Sequence, residues 1–136
     1  FMGSVIKELS DKGIKLNITA VYTYEQTKKI NKILIKKTKS IISIFAGRMA
    51  DKGRDPLPIF KKSISLTKKN KNIEILWAST REALNIFQAE NLCCHIITVP
   101  HEILDKLNHL DKNLEEFSLE TVKSFYKDSI AAGFKI

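Results

Sequence analysis

Arginine is scarce in a chain otherwise rich in cations. Of 23 basic residues only Arg48, Arg54 and Arg81 are arginine, and the rest are lysine. Cysteine is scarcer still. Cys93 and Cys94 are adjacent, so they do not readily bridge to each other, and they lack the spacing of a metal cage. This argues against a disulfide scaffold and a zinc module. Buried, reduced thiols in a cytosolic protein are the expectation. His95 follows them, but adjacency in sequence does not make a catalytic Cys–His pair. No apolar run approaches the ~20 residues of a membrane-spanning helix. No secretory leader is visible, and no short repeat or low-complexity segment interrupts the chain.

What is present suits one globular domain over residues 1–136, 43% hydrophobic and 28% charged. The net charge of +8 raises the question of nucleic acid. The densest run is Lys28, Lys29, Lys32, Lys36, Lys37 and Lys39. It has no interleaved aromatics, so it reads as a solvated helix face. Neither nucleic acid nor membrane is expected as a partner, whereas an anionic small molecule would feel the field. Phe1 falls inside an amphipathic pattern with no capping residue ahead of it, so a natural amino-terminal part is expected upstream.

The hydrophobic periodicity alternates between two kinds. Met2, Val5, Ile6 and Leu9 recur at helical spacing, and Lys12-Gly13 closes that helix. Lys15 to Tyr22 reads as a strand with Asn17, Thr19 and Val21 on one face and Leu16, Ile18 and Ala20 on the other. Thr23 caps a helix to about Leu34 that turns Ile30, Ile33 and Leu34 inward. Ser40 to Phe45 is the second strand, followed by a break at Ala46-Gly47, Arg48 just past the strand end, and a polar loop through Asp55. Pro58 opens a helix burying Ile59, Phe60, Ile64 and Thr67. Asn72 to Ala78 is the third strand, and Ser79 and Arg81 share the parity of Trp77. A helix with Ala83, Ile86 and Phe87 inward leads to a fourth strand, Cys94 to Val99. Pro100 opens a short helix carrying Ile103, Leu104 and Leu107. A last helix carries Leu119, Val122, Phe125, Tyr126 and Ile130 and ends near Gly133.

Strands that alternate with helices in this way predict an α/β fold with a parallel sheet and right-handed crossovers. Four such βα units are half of an eight-unit (β/α)₈ barrel, which needs ~250 residues. The expected fold is therefore the carboxyl-terminal half of such a barrel. Its open sheet edges predict self-association. Ligand sites in these folds lie at the carboxyl ends of strands. Polar residues gather there: Asn17 and Thr19, then Ser43 and Arg48, then Ser79 and Arg81. They suit a hydroxylated, anionic ligand, because guanidinium groups bind phosphate bidentately. They include no metal cage, no evident nucleophile and no acid–base pair.

The stretch SIFAGRMADKGRDP, Ser43 to Pro56, resembles the sixth strand and following loop of the transaldolase family, which carries Ser-x-Phe-x-Gly-Arg there. Ser43, Phe45, Gly47 and Arg48 match. The resemblance extends over essentially the whole chain, to the carboxyl-terminal half of transaldolases and fructose-6-phosphate aldolases. LNITAVY is similar to the fifth strand, WASTRE to the seventh and IITVP to the eighth. It implies a barrel enzyme of sugar metabolism, in the pentose phosphate pathway of the cytoplasm. Such an enzyme works through a lysine Schiff base with a ketose and needs no metal or organic cofactor. It also implies roles. Asn17 would hydrogen-bond the bound substrate, and Thr19 would help hold a catalytic water. Ser43 would bind a hydroxyl of the dihydroxyacetone portion beside Phe45. Arg48, Ser79 and Arg81 would bind the sugar phosphate.

Phe45 stands where the fructose-6-phosphate aldolase branch has tyrosine, which favours transfer over cleavage. The family lysine belongs to the end of the fourth strand, upstream of this sequence, so the 136-residue chain alone is expected to be inactive. Ile44 and Trp77 depart from the family pattern, and Trp77 replaces a small residue in a way that would reshape the pocket. Two other classes stand beside this reading: an aldolase that cleaves without transfer, and a non-catalytic phosphate- or nucleic-acid-binding module.

Overall fold

A computed structural model describes residues 2–35, 37–110 and 112–134. Phe1 and Lys36, used above in reading the first helix and the lysine run, lie outside them. Two compact units are present, Phe1–Leu104 and Asp105–Ile136. The first begins with α1 (Gly3–Asp11), then β1 (Leu16–Val21), α2 (Tyr24–Ile33) and β2 (Ser40–Phe45). A short α3 (Ala46–Ala50) follows, then α4 (Leu57–Thr67), β3 (Ile73–Ala78), α5 (Leu84–Asn91) and β4 (Ile96–Ile97). The helix α6 (His101–Asp105) crosses the boundary between the units, and α7 (Leu114–Ala131) forms most of the second.

The four strands make one parallel sheet in the order β1-β2-β3-β4. Sequential order with a helix between neighbours is the α/β pattern of part of a (β/α)₈ barrel. In-register residues of parallel neighbours share a face. Ile42, Ile75, Ile44 and Trp77 therefore lie on one side, since Ile42 is opposite Ile75 and Ile44 opposite Trp77. These four are fully buried, together with Ile30 from α2 and Phe60 from α4. Phe60 stacks on Trp77 with centroids 4.4 Å apart. This is the helix-covered core, and it needs the β-branched side chains that β2 and β3 supply.

Several expectations require correction. Val21 does not share the face of Asn17. Ile18 is opposite Ile42 and Val21 is opposite Ile44, so β1 spends three residues where β2 spends two. Ala20, at φ 59°, carries this bulge. The bulge returns Val21 to the helix-covered core, where it is 2% exposed. Arg48 is not in a loop, because α3 starts directly after Phe45. The fourth strand has two residues rather than six. Cys93 is exposed and Cys94 only partly buried. Phe87 and Leu104 are exposed, whereas Ala89 and Ile103 face the core. Trp77 packs on the helix side, so its size is taken up by Phe60.

A small polar seam went unforeseen. Ser63 Oγ donates to Thr27 Oγ1 at 3.2 Å, both residues fully buried, and Thr67 Oγ1 bonds the Ser63 carbonyl. Short hydroxyl side chains let α2 and α4 approach closely while satisfying each other. At the start of α2, Thr23 Oγ1 accepts from the Gln26 N–H, and Gln26 Oε1 accepts from the Tyr22 and Thr23 N–H groups. This capping box fixes the turn that leaves the carboxyl end of β1.

Candidate functional site

Asn17 and Ser43 belong to neighbouring strands and to the face opposite the helix-covered core. Ser43 Oγ donates to Asn17 Oδ1 at 2.6 Å. Parallel pairing of β1 with β2 puts both on this face, because Asn17 is opposite Ile41 and Ser43 is two residues further along. Thr19 is exposed and lies within the bulged stretch. Asn17 and Thr19 also line an open cavity of about 350 Å³ beside α1.

Phe45 ends β2 on the same face as Ser43, and its ring organises the aromatic and cationic groups around it. Tyr22 meets it edge-on at 5.8 Å, and the Arg48 guanidinium carbon sits 5.1 Å from its centroid. A guanidinium over an aromatic face gains electrostatically and keeps its edge free for an anion. The immediate start of α3 is what brings Arg48 back over Phe45.

The other arginine arrives by a different route. Strand alternation does not carry Ser79, since β3 ends at Ala78 and Ser79 adopts φ 63°. Trp77, whose parity Ser79 was expected to share, faces the helices. The Ser79–Arg81 segment instead lies against the first turn of α3. A Cβ at Gly47 would be 1.7 Å from the Ser79 carbonyl oxygen and 2.8 Å from Arg81 Cγ. Only glycine allows these two backbones to touch, and α3 is thereby fixed against the loop that bears Arg81.

Arg81 is held at both ends. Asn85 Oδ1 accepts from the Arg81 and Glu82 N–H groups at 3.0 and 3.1 Å. Arg81 Nη2 donates to Asp51 Oδ2 at 2.9 Å, an ion pair about half exposed on each side. Asp51 and Asn85 were not singled out in the sequence. The only signal was that an aspartate lies three residues after Arg48 and a polar amide four after Arg81. Thr80 was missed too. It is buried, and its Oγ1 donates to the Thr98 carbonyl at 2.7 Å, tying the end of β3 to the chain beyond β4. His95 Nδ1 accepts the Ile75 N–H at 3.1 Å, so its ring extends the brief β3–β4 ladder.

The structure thus joins Asn17 to Ser43, Phe45 to Arg48, and the backbone of Ser79 to Gly47. Arg48 and Arg81 line different cavities, on either side of α3. Among the described residues no group of His, Cys, Asp and Glu is arranged to hold a metal ion.

A family model described as Transaldolase/Fructose-6-phosphate aldolase matches residues 2–136. This chain belongs to that family. A "Probable transaldolase" of Herpetosiphon aurantiacus is 30% identical over 120 residues, covering 85% of this chain and 52% of that relative. One of Thermoanaerobacter sp. is 29% identical over 132 residues, covering 96% and 57%. Another, of Nitrosopumilus maritimus, is 31% identical over 124 residues, covering 90% and 52%. The chain spans about half the length of the curated relatives it matches. Membership of the transaldolase family accounts for the parallel βα repeat and for polar groups at the carboxyl ends of its strands.

Proposed function

We propose that this chain supplies the sugar-phosphate half of a transaldolase-type site. That site transfers a dihydroxyacetone unit between sugar phosphates in cytoplasmic carbohydrate metabolism, through a lysine Schiff base. The lysine of this reading is not among the 136 residues. The observation that carries it is the 2.6 Å bond from Ser43 to Asn17, set beside Phe45 and its stacked Arg48. Ser43 and Asn17 offer a hydroxyl and an amide to the hydroxyls of a ketose. Thr19 would help hold the water that moves the hydroxyl proton. Arg48, Ser79 and Arg81 bind the phosphate, and fixing the substrate is worth several kcal/mol of the barrier. The imine is the electron sink when the carbon–carbon bond breaks, and no metal or organic cofactor enters. Cleavage without transfer is the second reading, because the family description includes fructose-6-phosphate aldolase. Phe45 in place of tyrosine favours transfer.

The test is a titration of the isolated chain with fructose 6-phosphate, followed by amide resonances, alongside an assay with an aldose phosphate acceptor. Shifts at Ser43, Arg48, Ser79 and Arg81 are expected without turnover, and Arg81→Ala should weaken binding about tenfold. Robust transfer by this chain alone would refute the placement of the lysine. Shifts confined to the lysines of α2 would favour a non-catalytic anion-binding module instead.

A further inference from the structure

A second cleft lies on the Arg48 side of α3 and has a volume of about 530 Å³. That size is in the range of small-molecule sites. Arg48, Lys52 and Arg54 all line it. Among the described residues none of the three has an ion-pair partner, whereas Arg81 is paired with Asp51. Three like charges at one cavity repel one another, and an anion between them relieves that repulsion.

The remaining lining residues fit the same occupant. Met49 and Ile59 contribute apolar surface, and Tyr22 and Thr23 bring hydroxyl groups. Asp55 is the one acid of the cleft, and its Oδ1 is engaged by the Leu57 N–H at 2.9 Å. The local chain explains the convergence. Asp51 ends α3, Gly53 turns the backbone at φ 69°, and the Arg54 N–H returns to the Met49 carbonyl at 3.0 Å. This tight return brings Arg54 and Lys52 to the cavity that Arg48 reaches from the helix.

We infer that this cleft is a second anion subsite that holds the phosphate of a phosphorylated small molecule through Arg48, Lys52 and Arg54, independently of Arg81. The apolar surface accommodates the carbon body of the ligand, and the three cations take its dianionic end. The inference rests on the proposed function for the sugar-phosphate class and for Arg48, but Lys52 and Arg54 have no part in that reading.

Inorganic phosphate is the probe, titrated into the full chain against chloride at equal ionic strength and followed by amide resonances. Saturable shifts are expected at Thr23, Lys52, Gly53 and Arg54. Lys52→Ala combined with Arg54→Ala should weaken them about tenfold. Lys68→Ala combined with Lys69→Ala removes the same charge at the far end of α4, ~16 Å along that helix. This control should change the affinity less than about twofold, because screening confines charge effects to a Debye length. Arg81→Ala should leave the cleft unaffected. Equal weakening by the distant pair, non-saturating shifts or an equal response to chloride would overturn the subsite. The two proposals also fail separately. Shifts at residues 52–54 without any at Ser79–Glu82 would remove the phosphate role of Ser79 and Arg81 and keep the cleft, and the reverse pattern would remove the cleft.

Discussion

Adjacent residues need not share an environment, and the two cysteines show it. Cys93 is exposed, with φ at 54°. Cys94 is partly buried, and its thiol contacts the Ile75 and Ile96 carbonyl oxygens at 3.3 and 3.4 Å. Burial pushes the Cys94 thiol above its ordinary value of 9.0, against a smaller opposing effect of backbone hydrogen bonds. A raised folded-state value means that the folded chain holds this proton more tightly than the unfolded chain. The stabilising effect is then complete below pH 9 and is lost as pH rises through the folded value. Urea unfolding at increasing alkaline pH should show a decline that Cys94→Ala reduces. Alkylation at neutral pH should modify Cys93 before Cys94. Equal alkylation rates would show that the packing around Cys94 opens freely. The sequence showed the pairing of these residues but not their environments. The turn after α5, which separates them, depends on Cys93 taking a left-handed conformation that no cysteine pattern announces.

The elements were the most legible level. Runs such as Ile41-Ile42-Ser43-Ile44-Phe45 and Ile73-Glu74-Ile75-Leu76-Trp77 have the length and branching of buried strands, and helical periods separate them. The faces were less legible, because one inserted residue changes them. Ala20 looks like any small strand residue, yet the bulge it carries moves Val21 into the core and ends the simple alternation of β1. Likewise α3 looks like a loop, since Gly47, Gly53 and Asp51 are turn formers. The contact that makes it helical is with a segment more than thirty positions on. The site inherits this pattern: Asn17, Ser43, Phe45 and Arg48 could be read from strand ends. Asp51 and Asn85 act by holding Arg81 in three dimensions and leave almost no local signal.

The junction of α3 with the end of β3 is accordingly the sharpest element-level test. Gly47→Ala drives a methyl group into backbone that has no rotamer with which to yield. It should destabilise the chain by about 1–3 kcal/mol or more, as overpacking does. It should also shift the amide resonances of Ser79 and Arg81 further than those of Asn17. Gly53→Ala serves as the contrast, since a Cβ there meets nothing within 4 Å and only the strain of its positive φ remains. Similar losses in the two variants would show that α3 does not bear on the Arg81 segment.

At the scale of the whole molecule, two forces oppose each other. Among the described residues β1 and β4 have no strand on their outer sides, and β1 presents six residues of such an edge. An unpaired edge recruits another chain. The net charge of +8 keeps copies of the chain apart. The edge acts through hydrogen bonds and apolar contact at short range, while the charge acts over a Debye length of roughly 30 Å at 0.01 M salt and 8 Å at 0.15 M. Salt therefore weakens the repulsion and spares the attraction. We expect the chain to sediment as a monomer at low ionic strength and to self-associate reversibly as salt approaches the physiological range. A monomer under both conditions would show that the β1 edge is protected. Association that dissolves on adding salt would point to ion pairs between copies, in which case the lysines rather than the open sheet would be the adhesive surface.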